Sequence, residues 1–277
     1  MSGIVAGDDA GGPVIAVLGA GRMGTAIITG LINSGWGAER IVAADAHAPT
    51  ADALRQRLGI EVRSAQEAVV GADVVVVAVK PHDVVPLLEQ ISAALPQGST
   101  VISLAAGVPT SAMSGHLPAG IALVRVMPNT PALVGQGMSV LSPAPGCPTE
   151  ALELAERVLG SVGQVRTAPE SAQDAVTALS GSGPAYAFYV AEAMIEAGVH
   201  LGLPHDLAHD LTVQTLLGAA TMMRDVDQQP ATLRENVTSP GGTTAAALSV
   251  LDDADLKSVF VEAMRAARDR SAELGRS

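Results

Sequence analysis

A short apolar run, Val14–Leu18, leads straight into Gly19-Ala-Gly21-Arg-Met-Gly24, and a segment of helical apolar spacing, Met23–Ser34, follows without a break. No other feature of the chain restricts its fold as tightly. A strand, a tight glycine turn and a helix in that order open a βαβ unit. Gly19 permits the turn, Gly21 lets backbone come close to a ligand, and Gly24 allows the helix to pack on the strand. The first N–H groups of such a helix have no acceptor in the helix and face outward, which suits the pyrophosphate of a dinucleotide. Ala20, Arg22 and Met23 complete the loop and are expected beside the same group. A glycine-rich turn without a ligand is the plainer alternative, but it does not account for the strand before it and the helix after it.

The rhythm continues. Runs at Ile41–Ala44, Val74–Val79, Thr100–Leu104, Ala122–Val126, Ser139–Leu141 and Gln164–Arg166 read as strands, with helical patterns such as Ala51–Leu58 and Val84–Leu95 between them. The strands lack alternation of apolar and polar residues, as expected when both faces of a sheet are covered. This predicts an α/β fold, a doubly wound Rossmann-type sheet over residues 13–170. After about Ser171 the strand signals stop. Tyr186, Tyr189, Val190, Ala193, Met194, Ala197 and Leu201 keep helical spacing, as do Leu256, Val259, Phe260, Ala263, Met264, Ala267 and Leu274. Pro204 and Pro240 are expected in first turns of helices. Residues 171–277 therefore form an all-helical domain whose wide apolar stripes are too many for that short stretch to cover alone. A homodimer or higher homo-oligomer is expected.

Composition narrows the partners. With 28 acidic against 16 basic residues, the net charge of −12 repels phosphate backbones and anionic headgroups, so neither nucleic acid nor a membrane surface is expected as a partner. Aromatic residues are only 2% of a chain that is 48% hydrophobic, so the core must rest on Ala, Val, Leu and Ile. The single Cys147 has no partner for an internal disulfide, which suits a reducing, cytoplasmic setting. It lies in a Pro/Gly loop without a nearby base and reads as a small filler. Residues 1–12 are acidic and glycine-rich and read as a disordered lead-in rather than a signal peptide.

Asp45 closes the second strand. A carboxylate there accepts hydrogen bonds from ribose hydroxyls, which favours NADH, or it is a loop acid or helix cap. His47 is near, and the first Arg or Lys after it is Arg55, so a 2′-phosphate finds little compensating charge. His205 and His209 stand four apart on a helix, each followed by Asp. With no third ligand motif they read as an exposed face, and no metal is expected.

Several stretches carry a resemblance along nearly the whole chain: Gly19–Gly24, Ala78-Val-Lys-Pro81, Ser103-Leu-Ala-Ala-Gly107, Arg125-Val-Met-Pro-Asn-Thr-Pro131, Leu179-Ser-Gly-Ser-Gly-Pro-Ala-Tyr186 and Glu235-Asn-Val-Thr-Ser-Pro-Gly-Gly-Thr-Thr244. In this order they resemble the pyrroline-5-carboxylate reductases, and the last two are the distinctive ones. The resemblance implies a Rossmann domain followed by a helical dimerisation domain. It implies NADPH or NADH as cofactor, with nicotinamide near Val79, Lys80, Pro81, Ala105, Ala106 and Gly107, and with Asn129 and Thr130 beside the same cleft. The substrate, 1-pyrroline-5-carboxylate, would lie between this cleft and the Ser239–Thr244 segment, which in the family can come from the partner subunit. Many relatives carry a small neutral residue where this chain has Asp45, and this departure turns the expectation toward good use of NADH.

The residues suit that chemistry. A cyclic imine is protonated before hydride arrives and ends as a neutral amine, so the site needs positioning and carboxylate capture more than a strong acid. Ser239 followed by Pro240 reads as an N-cap and first-turn residue. Gly241, Gly242, Thr243 and Thr244 add free N–H groups, space and hydroxyls, together an anion seat for substrate. The resemblance places Thr244 nearest the imine nitrogen, as hydrogen-bond partner or proton relay, with Ser239 and Lys80 assisting. Lys80 suits holding cofactor or carboxylate, and a solvated lysine at a strand end is nearly as good a reading. Ser180-Gly-Ser-Gly-Pro184 either lines the substrate site or only lets helices approach. Two rivals stand beside this reading. Another two-domain reductase of the hydroxyacid or ketopantoate type would need a lysine within Gly183–Gly198, which has none. A dinucleotide-sensing regulator would have no use for the Ser239–Thr244 seat.

Overall fold

A computed structural model describes residues 12–275. The expected lead-in falls, up to residue 11, outside the described residues. The chain divides into two compact units. One runs to Gly181 and takes in the chain again from Ala267; the other is Ser182–Ala266.

In the first unit the strands among the described residues are β1 (Ile15–Leu18), β2 (Ile41–Ala44), β3 (Glu61–Val62), β4 (Val74–Val77), β5 (Thr100–Ser103), β6 (Ala122–Met127), β7 (Gly137–Pro143) and β8 (Gly163–Thr167). They form one sheet in the order β3-β2-β1-β4-β5-β6-β7-β8. Neighbours run parallel except β6 and β7, which are antiparallel. The stretch 128–136 that joins them is shorter than the crossover of roughly a dozen residues that a parallel pair requires. β3 escaped the sequence reading because two residues carry no period.

Helices α1 (Arg22–Asn33), α2 (Ala48–Leu58), α3 (Ala65–Val69), α4 (Val84–Ile91), α5 (Thr110–Ser114), α6 (Thr149–Gly160) and α7 (Gln173–Val176) lie in this unit, which the end of the last helix, from Ala267, rejoins. The sheet is covered on both faces. Ile15, Val17, Val74, Val76, Ile102 and Val124 share one apolar core with Ile27 and Leu31 of α1 and with Val158 and Leu159 of α6. Their alternate neighbours Ala16, Leu18, Val75, Val77 and Val101 share a second core with Leu88 and Ile91 of α4 and with Met113 of α5. This two-sided cover is why the strands read as continuous apolar runs. The four valines of β4 are fully buried, and each contributes roughly 1.5–3 kcal/mol, an upper bound because the unfolded chain already hides some surface.

A five-residue π-helical turn, Thr177–Gly181, closes the first unit. The second unit holds α8 (Gly183–His200), α9 (His205–Asp225), α10 (Pro230–Asn236), α11 (Thr243–Asp253) and the start of α12 (Leu256–Leu274). Gly198 of α8 faces Ala208 of α9 so closely that a Cβ would stand 3.0 Å from the Ala208 Cβ. Otherwise the apolar stripes have little cover: α8, α10 and α11 contain no buried residue. Phe188 is 66% exposed, Tyr189 73% and Leu217 58%, values that a stable helical domain does not leave in water. Pro184 is a first-turn residue of α8, whereas Pro204, expected in a first turn, is the N-cap of α9, and Pro240, expected likewise, lies ahead of α11. No helix among the described residues is long and apolar enough to cross a membrane.

Candidate functional site

Five parallel strands end on one edge of the sheet. Register aligns Leu18 with Ala44 and Val77, Val77 with Ser103, and Ser103 with Arg125. Gly19, Asp45, Ala78–Pro81 and Leu104–Gly107 therefore lie side by side beyond the strand ends, and Asn129 follows β6 on the same edge. The strand order reverses between β1 and β4, whose connections leave in opposite directions. In open α/β sheets this is where a crevice forms and a ligand binds.

The glycine loop is shaped for an anion. Gly19 adopts φ +94°, and a Cβ there would stand 2.7 Å from the Ala78 carbonyl oxygen. A Cβ on Gly24 would collide with the Gly19 carbonyl. Gly21 differs: it is exposed, with nothing within 4 Å of where its Cβ would be. It is also the N-cap of α1 and offers no side chain to the helix. The first helical bond runs from Thr25 N–H to the Gly21 carbonyl at 2.9 Å, so the N–H groups of Arg22, Met23 and Gly24 precede any helical acceptor. Open space in front of such donors fits a dinucleotide pyrophosphate.

Asp45 turns into this loop. Its carboxylate accepts Ala20 N–H at 2.7 Å and His47 N–H at 2.7 Å. It does not cap α2, whose N-cap is His47. Arg55 is occupied elsewhere, donating to Asp52 at 2.8 Å and to the Val62 carbonyl at 2.9 Å. A hollow of about 310 Å³ between α1 and α2 is lined by Thr25, Thr29, His47, Thr50 and Arg57 among others. Arg57 was passed over in the sequence; no spacing rule connects the far end of α2 to a loop before it.

Val79 is half-buried, while Lys80 and Pro81 are exposed at the end of β4, Lys80 as N-cap of a short 3₁₀ turn. Ala105 is buried, Ala106 exposed, and Gly107 turns with φ +78°. Asn129 is fully engaged: its Oδ1 accepts Met138 N–H at 2.8 Å, and its Nδ2 donates to the Ser180 carbonyl at 3.2 Å and to Ser180 Oγ at 3.3 Å. Ser180 belongs to the π-turn, a local winding often found at functional sites. A Cβ on Gly181 would clash with the Met127 methyl, so β6 approaches this turn closely.

A cluster that the sequence reading missed braces the same edge. Arg125, 8% exposed, donates to Glu170 at 3.1 Å. Glu170 also accepts Thr110 N–H at 2.7 Å and the Thr110 hydroxyl at 2.6 Å. Burial pushes the Glu170 carboxyl up, but the Thr110 hydroxyl and N–H with the Arg125 guanidinium outweigh it and hold it below the usual carboxylate range. The signal was available: an arginine inside a strand covered on both faces needs a buried partner.

In the second unit, Ser239–Thr244 departs from the expected cap. The N-cap of α11 is Gly242, and no side chain caps that helix. Ser239 to Gly242 form a turn closed by Gly242 N–H to the Ser239 carbonyl at 3.0 Å, with Pro240 second and Gly241 third at φ +70°. Proline then a left-handed residue is the type II pattern, which accounts for Gly241. A Cβ on Gly242 would strike Ser239 Oγ. The turn thus hangs the exposed Ser239 hydroxyl beside the start of α11, where Thr243, Thr244 and Ala245 bring the unsatisfied N–H groups. His205 and His209 lie exposed on α9, each beside the following aspartate at 3.6 and 3.2 Å.

Comparison with known proteins agrees in both halves. A family model described as pyrroline-5-carboxylate reductase dimerisation matches residues 170–274, and one described as NADP oxidoreductase coenzyme F420-dependent matches residues 14–107. A pyrroline-5-carboxylate reductase of Corynebacterium melassecola is 43% identical over 266 residues, covering 95% of this chain and 98% of its own. One of Pseudomonas aeruginosa is 41% identical over 264 residues, covering 95% and 97%. Among solved structures, a pyrroline-5-carboxylate reductase from Coxiella burnetii superposes with a TM-score of 0.91 at 37% identity, covering 96% of this chain and 99% of that one. The pyrroline carboxylate reductase of Plasmodium falciparum, solved with NADP bound, gives 0.84 at 29%, covering 95% and 98%.

Proposed function

The chain belongs to the pyrroline-5-carboxylate reductase family, and we propose from this that it is an NAD(P)-dependent oxidoreductase reducing the C=N bond of 1-pyrroline-5-carboxylate to give L-proline, and that it works as a homo-oligomer through its helical half. The observation that carries the reading is the open space before Gly21, at the point where the strand order reverses, with three helix N–H groups facing it.

The reduced dinucleotide, when bound, supplies the hydride. The chain's own residues bind and orient. The N–H groups of Arg22, Met23 and Gly24 hold the pyrophosphate, and the Val79–Pro81 and Ala105–Gly107 loops flank the nicotinamide. Gly107 keeps its loop in a left-handed turn that a larger residue would strain. Asn129 holds the end of β6 to the π-turn. Ser239, Gly241, Gly242, Thr243 and Thr244 receive the substrate carboxylate at the start of α11, where N–H donors and the helix dipole favour an anion. The Thr244 hydroxyl serves as hydrogen-bond partner or proton relay to the imine nitrogen, and the exposed Lys80 ammonium adds a positive charge at the end of β4. No strong acid is required, because the protonated imine loses its charge when the new C–H bond forms.

NADH is used at least as well as NADPH. Asp45 places a carboxylate at the end of β2, and Arg55 is tied to Asp52 and Val62 rather than free for a 2′-phosphate. Asp45 keeps lone pairs for a ribose hydroxyl beyond the two N–H groups that it accepts. The test is loss of reduced-nicotinamide absorbance when pyrroline-5-carboxylate is added with each dinucleotide. No turnover with either one would overturn the assignment.

A further inference from the structure

The end of the last helix docks on the Ala105–Gly107 loop. Gly107 and Gly275 abut backbone to backbone: a Cβ on Gly275 would stand 2.8 Å from the Gly107 carbonyl oxygen, and a Cβ on Gly107 would stand 3.5 Å from Gly275 N and 3.7 Å from Leu274 Cβ. A side chain at Gly275 would push the two backbones apart, whereas at Gly107 the contact leaves room for a Cβ and the strain comes from its left-handed φ of +78°. One turn back along α12, Ser271 is buried and its hydroxyl donates to Asp174 Oδ1 at 2.8 Å, a contact across 97 residues of chain. Asp174 sits in the first turn of α7, four residues beyond Glu170. Glu170 takes both the N–H and the hydroxyl of Thr110, at the other end of the same loop. The loop is thus gripped twice, at Thr110 by Glu170 and at Gly107 by Gly275, and both grips are anchored on the segment that leads to the π-turn and its bond with Asn129.

We infer that the C-terminal end of α12 is a positioning element for the dinucleotide: Ser271, held by Asp174, seats Gly275 against Gly107 and so sets the height of the loop that flanks the nicotinamide. Ser271 and Gly275 are positioning residues that act through Gly107. The inference rests on the reading that the Ala105–Gly107 loop holds the cofactor. It gives a chemical reason for a glycine near the end of the chain, where the helix is already over and no turn with positive φ demands one.

Three variants of the full chain test it: Gly275→Val, which inserts bulk between the two backbones; Ser271→Ala, which removes the anchor; and Ser271→Thr, which keeps the hydroxyl. Each is measured for KM of the dinucleotide, KM of pyrroline-5-carboxylate, thermal midpoint and sedimentation, with Gly107→Ala as the reference for a disturbed loop. Gly275→Val and Ser271→Ala should raise the dinucleotide KM by roughly five- to tenfold, the scale of losing one well-placed contact. The imine KM should barely move, sedimentation should be unchanged, and Ser271→Thr should recover most of the loss. A helix end with a merely structural role would lower the thermal midpoint and leave the dinucleotide KM alone, and that result overturns the inference. If Gly107→Ala raises the dinucleotide KM while Gly275→Val and Ser271→Ala do not, the inference fails and the cofactor reading stands. If Gly107→Ala leaves it unchanged, the cofactor reading of this loop fails and the inference falls with it.

Discussion

The carboxylate of Asp45 accepts the backbone N–H of Ala20 at 2.7 Å, so the end of the second strand is tied directly to the glycine loop. On the proposed cofactor reading, this one side chain would act on both ends of the adenosine diphosphate moiety, shaping the loop for the pyrophosphate and standing at the place for the ribose. Like-charge repulsion against a 2′-phosphate at such a partly exposed place is worth about 1–2 kcal/mol, or roughly ten- to thirty-fold in preference. We predict that the wild type uses NADH at least as well as NADPH and that Asp45→Ser shifts the ratio of kcat/KM values toward NADPH. The change should appear mainly in KM, with some loss for both cofactors because the Ala20 anchor goes too. A strong wild-type preference for NADPH that survives the substitution would sink the idea, and Arg57 in the neighbouring hollow would then be the residue to replace next.

Ser239→Ala and Thr244→Ala should each lower kcat/KM for pyrroline-5-carboxylate by about 1–3 kcal/mol, the range for a lost hydrogen bond to a charged group. Because neither side chain caps α11, thermal stability should change by less than the roughly 1 kcal/mol typical of a lost cap. Steady-state kinetics with both substrates, beside a melting curve, separates the two roles. Wild-type kinetics in both variants would leave the turn as architecture only.

Phe188 and Tyr189 are exposed in the single chain, so a charge at Phe188 costs little there but must be desolvated in an oligomer. Full-length protein should sediment as a dimer or larger, and Phe188→Glu should weaken that association by about 2 kcal/mol or more, the scale of an interface hot spot. A monomeric wild type with full activity would contradict the reading of the helical half.

Glu170 gives the fold an acid limit. Its folded-state pKa is depressed, so the unfolded chain binds the extra proton as pH falls, and stability drops in that direction. The contribution is complete above the unfolded value of about 4.3 and is lost as pH falls through the lower folded value. Melting curves between pH 6 and pH 3 should show Glu170→Gln less stable than wild type at the upper end and converging with it at the lower end. Parallel curves throughout would show that the Arg125 and Thr110 contacts carry no linkage.

Local order was enough to make much of this chain legible. The strand, glycine turn and helix of residues 14–34 each depend on neighbours in sequence, and so does the period-free apolar character of Val74–Val77, since a strand covered on both faces has no polar side to show. The long stripes of α8 and α12 announced a partner for the same reason: the spacing of apolar residues depends on local winding, whatever covers them. The turn at Ser239–Gly242 shows where local reading falters, because Ser-Pro opens either a helix or a type II turn, and the choice fell to Gly241 at φ +70°. The antiparallel β7 was hidden because strand direction depends on the length of a connection, not on the strand's own residues.

Other features were decided only by tertiary structure, because their partners lie far apart along the chain. Asp45 meets Ala20 across 25 residues, Arg125 meets Glu170 across 45, Asn129 meets Ser180 across 51 and Ser271 meets Asp174 across 97. A buried or half-buried polar group must find a donor or acceptor, and the sequence shows that need at once in an arginine within an apolar strand. Which residue meets the need depends on how parallel strands bring their ends to one edge, and no period, spacing or turn signal in the chain records that distance.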